Sequence, residues 1–463
     1  MFNKKLNLFL CSLTSASLLI SCGFNDTSNT KESSDSSTIQ NSETDTTGNK
    51  SDTDDNMNTT NGNKTINLTK NLTSKSNDEI DTPSSFSLKE SAALGSAYLG
   101  LFAATLNRTN ETENVMISPT SIIMDFGMLE NGAKSDTLSQ LEKALNGGIN
   151  LNEFNPLMLY QYESLKSYKG VNFNLANSIW LNNSLNFTVE DKFLSNAKDY
   201  YNADVFSSPF DQTTVDDINN YVNEQTLNMI PKLLDDIDPS EYMHLINCIA
   251  FEGKWDEPFL SHNIKENQTF HNADGSTGDV TLMKGFGDYY FNHKDGLGFI
   301  KDYAGFECSF FAILPPEDTS CTEYINQLIE DNITIDDLYK ELESANVTYT
   351  LPEFESEYSV NMNDILKDLG ITDVFDSTKA DLTGITTLPN NNLFVSGVTH
   401  KTYIKVDREG TAAAAVTDIT LEGNAIIEEK KNIDIVLDRP FIYGIYDNNS
   451  RLPIFIGCYN TVK

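Results

Sequence analysis

Basic residues are scarce in this 463-residue chain: 32 Lys and Arg stand against 68 Asp and Glu, a formal charge of −36. Such a surplus repels phosphate backbones and anionic head groups, so nucleic acid is not expected as a partner. Histidine is scarce too, with five in all; His244, His262, His271 and His293 are scattered without ligand spacing, so no metal site is expected. There is no Gly-x-Ser-x-Gly elbow, no His-Glu-x-x-His helix, no phosphate loop and no dinucleotide fingerprint. Those absences argue against the common hydrolase and nucleotide-dependent chemistries and leave no cofactor to expect. Carboxylate pairs abound, but in so acidic a chain they single out nothing. Beyond the N-terminus no run of about 18 apolar residues exists that would span a bilayer.

What is present begins with an export signal. Asn3, Lys4 and Lys5 supply the positive region, residues 6–20 the apolar stretch, and Leu19-Ile20-Ser21-Cys22 the cleavage site. Leu-Ile-Ser-Cys resembles the bacterial lipobox, which implies removal of residues 1–21 and a lipid on Cys22; the alternative is an ordinary secretory signal that contains a cysteine, and a secreted protein. That lipid would be the chain's sole membrane attachment, on the extracellular face of the cell membrane. Cys11 leaves with the signal, so Cys248, Cys308, Cys321 and Cys458 remain. Their spacing fits no metal or redox motif. Buried thiols are expected, with one disulfide as the alternative in an exported protein.

From 22 to 84 the chain is rich in Asn, Ser, Thr and Asp and nearly devoid of aromatics. It cannot bury enough apolar area to offset the entropy of ordering, and is expected to be a disordered spacer. Order is expected from 85 to 463. Leu88, Ala92, Gly95, Leu99, Phe102 and Leu106 recur at helical spacing, and further helices are expected at 120–130, 136–146, 190–201 and 214–229. Strand-like runs lie at 171–181, 242–251, 306–314, 347–351, 393–406, 433–437, 441–446 and 453–459. Helices cluster early and strands late, which predicts one large α+β domain built on antiparallel sheet.

Six ordered blocks carry a family resemblance. They are Asn114-Val-Met-Ile-Ser-Pro-Thr-Ser-Ile-Ile-Met-Asp-Phe-Gly-Met-Leu-Glu-Asn-Gly-Ala-Lys-Ser-Asp-Thr, Asn220-Tyr-Val-Asn-Glu-Gln-Thr, Leu245-Ile-Asn-Cys-Ile-Ala-Phe-Glu-Gly-Lys-Trp-Asp-Glu-Pro-Phe, Leu369-Gly-Ile-Thr-Asp-Val-Phe-Asp with Ala380-Asp-Leu-Thr-Gly-Ile, Val406-Asp-Arg-Glu-Gly-Thr-Ala-Ala-Ala-Ala-Val-Thr, and Asp438-Arg-Pro-Phe-Ile-Tyr with Pro453-Ile-Phe-Ile-Gly. Together they resemble the serpins, the serine protease inhibitor superfamily, across essentially all of 85–463. The resemblance implies a large, mostly antiparallel central sheet of five strands with two smaller sheets, eight or nine helices and an exposed reactive-centre loop. It also implies irreversible, suicide-substrate inhibition of an extracellular serine or cysteine protease by a monomer that is not itself an enzyme. The alternative within the family is a non-inhibitory binding module.

The residues after the hinge fit insertion of the cleaved loop as a strand, a mode of strand addition that serpins exemplify. Gly410 permits a sharp backbone change. Thr411, Ala413, Ala415 and Thr417 would face one side of an extended strand and Ala412, Ala414 and Val416 the other. All are small enough to enter between packed strands. In isolation this run is also a reasonable helix, since alanine is the best helix former.

The resemblance further implies a buried hydrogen-bonded cluster of Ser118, Ser121, Asn247 and His400 beneath the opening strands, and a tryptophan, Trp255, at the insertion point. Two departures stand out. Where the family usually places an acid, two residues before the hinge glycine, this chain has Arg408, with Glu409 beside the glycine; the usual ion pair at the loop's base is therefore in doubt. The loop is also longer than usual on its C-terminal side. Counting forward from Gly410 places the reactive bond at Asn424-Ala425, while counting back from Pro440 lands near Glu429. With no Lys or Arg at the cut, elastase-like, subtilisin-like or cysteine proteases are the expected targets.

Overall fold

The computed structural model describes residues 64–75, 79–388, 392–410 and 430–462. Its core is a long helix under a six-stranded sheet. That helix, α2 (Pro119–Glu130), starts with Pro119 at its first position and with Ser118 as N-cap, whose hydroxyl accepts from the Ser121 amide. Every residue of α2 is buried, as expected of a helix apolar on nearly all sides. The preceding helix α1 (Leu88–Leu106) opens on a reciprocal capping box between Ser87 and Glu90 and packs against α2.

The sheet above α2 has the order β1-β4-β3-β5-β12-β11. Its members are β1 (Ile66–Asn67), β3 (Val171–Asn182), β4 (Asp204–Ser208), β5 (Met243–Gly253), β11 (Phe354–Asn361) and β12 (Gly397–Val406). β3 with β5 and β11 with β12 are antiparallel, whereas β5 with β12 is parallel. Five of these strands form the expected central sheet. The sixth, β1, comes from the stretch expected to be spacer. Leu68, Thr69 and Ile80 of that stretch are buried, and the Leu68 amide donates to the Val205 carbonyl. A few apolar residues suffice here because β4 offers an open edge whose backbone groups need partners.

The second sheet is continuous through nine strands, with the order β13-β10-β7-β8-β9-β14-β15-β2 and β6 paired to β7. Its strands are β2 (Val115–Ile117), β6 (Ile264–His271), β7 (Thr277–His293), β8 (Gly296–Asp302), β9 (Cys308–Leu314), β10 (Glu343–Pro352), β13 (Asn432–Val436), β14 (Phe441–Asp447) and β15 (Leu452–Tyr459). The two smaller sheets implied by the resemblance run together because β7, at 17 residues, is long enough to serve both. Seven more helices complete the nine among the described residues: α3 (Ser135–Ala144), α4 (Leu151–Ser167), α5 (Asp191–Tyr201), α6 (Gln212–Gln225), α7 (Cys321–Glu330), α8 (Ile335–Lys340) and α9 (Asn363–Asp368). The α+β architecture is as expected. α4 was not legible from spacing, because Pro156 interrupts its pattern; it lies in the second turn, where the missing N–H leaves the Asn152 carbonyl without its intrahelical donor.

One residue of α2 opposes folding. Asp125 is fully buried, and neither carboxyl oxygen has a hydrogen-bond partner among the described residues. Burial pushes its carboxyl well above the usual range, so the folded chain prefers it protonated. A raised carboxyl pKa costs nothing below the unfolded value near 4 and costs more as pH rises above it. Asp125→Asn is therefore expected to stabilise the protein by about 1–3 kcal/mol at pH 7, with the gain vanishing near pH 4. Urea unfolding across that range is the check.

Candidate functional site

Strand register builds the site. In β5, Asn247 lies opposite Asn177 of β3 on one side and opposite His400 of β12 on the other. The three form one row across the sheet, and hydrogen bonds tie the row down to the start of α2.

The Asn247 side-chain amide donates to the Ser121 carbonyl at 2.7 Å, to the Ser121 hydroxyl at 2.8 Å and to Asn177 Oδ1 at 2.8 Å. His400 Nδ1 meets Asn247 Oδ1, and the Ser118 amide donates to His400 Nε2 at 3.1 Å. An amide oxygen only accepts and a backbone amide only donates. The proton must then sit on Nδ1, and the imidazole is neutral with both nitrogens satisfied. Its complete burial lowers the pKa from 6.5 to about 3, since a charged ring would lose its water shell.

Ser118, Ser121, Asn247 and His400 are thus brought together. Asn177 completes the group and was missed; it is one of three asparagines in residues 171–181, and nothing in the sequence sets it apart. The His400–Asn247 contact crosses the β5–β12 junction, one of two parallel pairings in this sheet, the other being β3 with β4.

Trp255 sits two residues beyond the end of β5, eight residues and so about 26 Å from Asn247 at roughly 3.3 Å per residue. Its indole Nε1 donates to the Asp407 carbonyl at 2.8 Å, and its ring stacks on Tyr303 at 4.4 Å. Lys301 places its ammonium over Trp255 and Phe259 while donating to the Glu257 carbonyl at 2.6 Å. Burial brings that ammonium's pKa down to about 8.

The chain leaving β12 is held against this aromatic group. The Phe259 amide donates to the Arg408 carbonyl at 2.9 Å, and Gly410 bridges to Lys254. Gly410 has φ of +70°, and a Cβ there would lie 2.4 Å from both the Gly253 carbonyl oxygen and the Trp255 nitrogen. Only glycine fits. Glu409 is exposed, its amide donating to Asp407 Oδ1 at 3.0 Å.

The ion pair left in doubt by Arg408 is present with an unexpected partner. Arg408 makes a two-pronged contact to Glu353, Nε to Oε1 at 2.7 Å and Nη2 to Oε2 at 3.0 Å. With the basic residue on the loop side, the pair links the end of β12 to the turn between β10 and β11. Further along the chain, Lys430 reaches Asp288 at 2.9 Å. Thr411, Ala412, Ala413, Ala414, Ala415, Val416, Thr417, Asn424 and Ala425 lie outside the described residues, as does Cys22.

No group of three or more His, Cys, Asp and Glu among the described residues has metal-holding geometry. Among the described residues the site combines a hydrogen-bonded latch between strands at one end with the docked start of the chain after β12 at the other.

Comparison with known proteins agrees with this geometry. The family model described as Serpin (serine protease inhibitor) matches residues 96–461. An alpha-1-antitrypsin-like protein of Tamias sibiricus is 31% identical over 370 residues, covering 77% of this chain and 85% of its own length. Among solved structures, the thermophilic serpin tengpin in its native state is 35% identical with a TM-score of 0.77, covering 86% of this chain and 100% of its own. Tengpin in its latent state matches at 35% identity and a TM-score of 0.70, covering 82% of this chain and 99% of its own.

Two predictions come from this geometry. Because the folded pKa of His400 is depressed, its stabilising contribution is complete above pH 6.5 and is lost as pH falls toward 3. Going from pH 7 to 5.5 should cost about 1 kcal/mol through this residue, and His400→Gln should remove that part of the slope in denaturant titrations. Arg408→Glu, which sets two carboxylates face to face, should shorten the native lifetime about 5-fold, from a loss of about 1 kcal/mol. Adding Glu353→Arg should restore it, as followed by circular dichroism during mild heating.

Proposed function

The chain belongs to the serpin (serine protease inhibitor) family, and we propose that it is an irreversible suicide-substrate inhibitor that captures its protease by inserting the cleaved loop between β5 and β12. The observation that carries this reading is the parallel junction itself. Eight registered pairs join the strands, from Gly397 opposite His244 to Ile404 opposite Phe251. A chain that leaves the top of β12 and turns back at Gly410 would run antiparallel to β12. It would also run antiparallel to β5. One parallel ladder is then exchanged for two antiparallel ones, which pair slightly better per residue.

The net gain from the added hydrogen bonds is on the order of 10 kcal/mol at 0.5–1.5 kcal/mol each. Residues 411–417 are all small, so insertion avoids overpacking. The Asn247–His400 contact would have to part first, and its neutral side chains can take new partners without exposing a charge. A family relative solved in both native and latent states supports the idea of one chain holding two arrangements.

In this reading the protein is not an enzyme, needs no cofactor and acts as a monomer. Asn424-Ala425 is the proposed reactive bond. The absence of Lys and Arg there favours elastase-like, subtilisin-like or cysteine proteases over trypsin-like ones. A lipid on Cys22 would hold the inhibitor at the extracellular face of the cell membrane, with the Asn/Ser/Thr/Asp-rich stretch as its tether.

Incubation with a panel of such proteases should yield complexes stable on denaturing gels, with the cut located by mass. Thr411→Arg is expected to turn the inhibitor into a substrate, reducing complex yield at least 10-fold, since a guanidinium between strands is costly to bury. Normal complex yield from that variant would sink the insertion mechanism.

A further inference from the structure

The four body cysteines are buried thiols, as expected; the surface feature left over is aromatic. Of the large apolar side chains exposed among the described residues, three are aromatic: Phe286, Tyr289 and Phe306, at 62%, 56% and 58%. All three line a single open cavity of about 500 Å³. Phe286 and Tyr289 stand on β7, and Phe306 in the turn between β8 and β9. Exposed apolar groups scattered singly need no explanation, but aromatics gathered on one cavity mark a binding face.

Phe306 is held there against its own preference. Its φ is +63°, a left-handed backbone that a bulky side chain avoids. Its amide donates to the Tyr303 carbonyl at 3.0 Å, and Asn448 Nδ2 donates to its carbonyl at 2.8 Å. The ring gains little burial in return, and glycine or asparagine would sit more easily in that turn.

The rest of the rim is acidic. Asp256, Glu257 and Asp302 line the cavity, and none of their carboxylates has a hydrogen bond or ion pair among the described residues. Burial, and then the neighbouring Asp256, raise the Asp302 carboxyl above its usual range, as expected of a carboxylate without a close cation. Asp288, also on the rim, is paired with Lys430. Lys301 lines the cavity too, but its ammonium is engaged with Trp255, Phe259 and the Glu257 carbonyl. Phe286 carries the chain's own Lys284 ammonium 5.3 Å from its ring centre, so the ring is presented for cation–π contact.

We propose that this face docks an arginine-bearing segment of a basic partner protein, with guanidinium groups held between the aromatic rings and the carboxylates of Asp256, Glu257 and Asp302. A guanidinium suits both surfaces at once, stacking on a ring while its N–H fork meets a carboxylate. Charge decides among the occupants. Residues 411–429 carry Asp418, Glu422, Glu428 and Glu429 and no Lys or Arg, and residues 22–63 carry eight carboxylates against two lysines. Both stretches would be repelled, and so would a second copy at a formal charge of −36.

The probe is the fluorescein-labelled peptide Arg-Leu-Arg-Leu-Arg, titrated into the full chain at about 0.15 M salt, where long-range attraction is largely screened. Saturable binding is expected, with the lysine counterpart at least about 3-fold weaker. Phe286→Ser with Tyr289→Ser, and separately Asp256→Asn with Asp302→Asn, should each weaken binding about 10-fold. Glu224→Gln with Asp236→Asn removes the same charge from another exposed surface and should change binding less than about 2-fold. A peptide with benzoylphenylalanine in place of one leucine should crosslink within residues 256–257 or 286–306 of the unaltered chain, a readout that no misfolded variant can spoil. None of this needs a cut loop, so it is independent of the inhibitory reading. The proposal is overturned by an absence of saturable binding, equal affinity for the lysine peptide, equal losses in the control pair, or crosslinks elsewhere. Binding that appears only after residues 411–429 are cut, or self-association abolished by Phe286→Ser with Tyr289→Ser, would assign the face to this chain itself and overturn it too.

Discussion

The parallel contact between β5 and β12 is the constraint on which the rest of the structure depends. Two strands that lie side by side in parallel cannot be joined by a tight turn, and each contributes a ladder less favourable than an antiparallel one. Nearly everything at the site bears on keeping that contact closed. Asn177, Asn247 and His400 lie in one row across it, Ser118 and Ser121 fix the row to the N-terminus of α2, and Trp255 holds the chain where it leaves β12.

These restraints differ in kind. The row around His400 is largely buried and paired, so its loss leaves buried polar groups without partners, at about 1–3 kcal/mol for each such group. The Arg408–Glu353 pair is half-exposed and worth at most about 1 kcal/mol. A junction closed mainly by neutral hydrogen bonds, with weak charge pairing only at its mouth, is suited to a fold secured by a barrier rather than by depth. In the proposed function that distinction is the mechanism, because a native state at its lowest free energy would have nothing to release when its loop is cut.

Much of the fold was legible in the sequence, and what escaped did so for physical reasons. Helices whose apolar faces recur cleanly, as in α1 and α2, were readable, and so were the fully buried apolar strands β5, β14 and β15. β6, β7 and β8 were missed because exposed polar residues and glycines break up any apolar run, and β11, which does alternate, was missed because only Phe354, Tyr358 and Val360 of its residues are apolar. β1 was missed because two residues in a polar stretch become a strand only when an edge is already there to receive them. The cluster of Ser118, Ser121, Asn247 and His400 was reachable only through resemblance, since strand register rather than sequence spacing brings residues 118 and 400 together. Asn177 and Glu353 show the limit of that route: neither carries a local signal, and each is identified only by what lies across from it.

The central claim is that the β5–β12 junction accepts the cut loop as a strand, and it can be tested without knowing the physiological protease. The intact protein and a sample nicked within residues 411–429 by a non-target protease should be compared by thermal unfolding. Insertion predicts that the nicked form melts about 10–20 °C higher, as about 10 kcal/mol of added pairing requires in a domain of this size. Equal or lower stability of the nicked form would contradict the account.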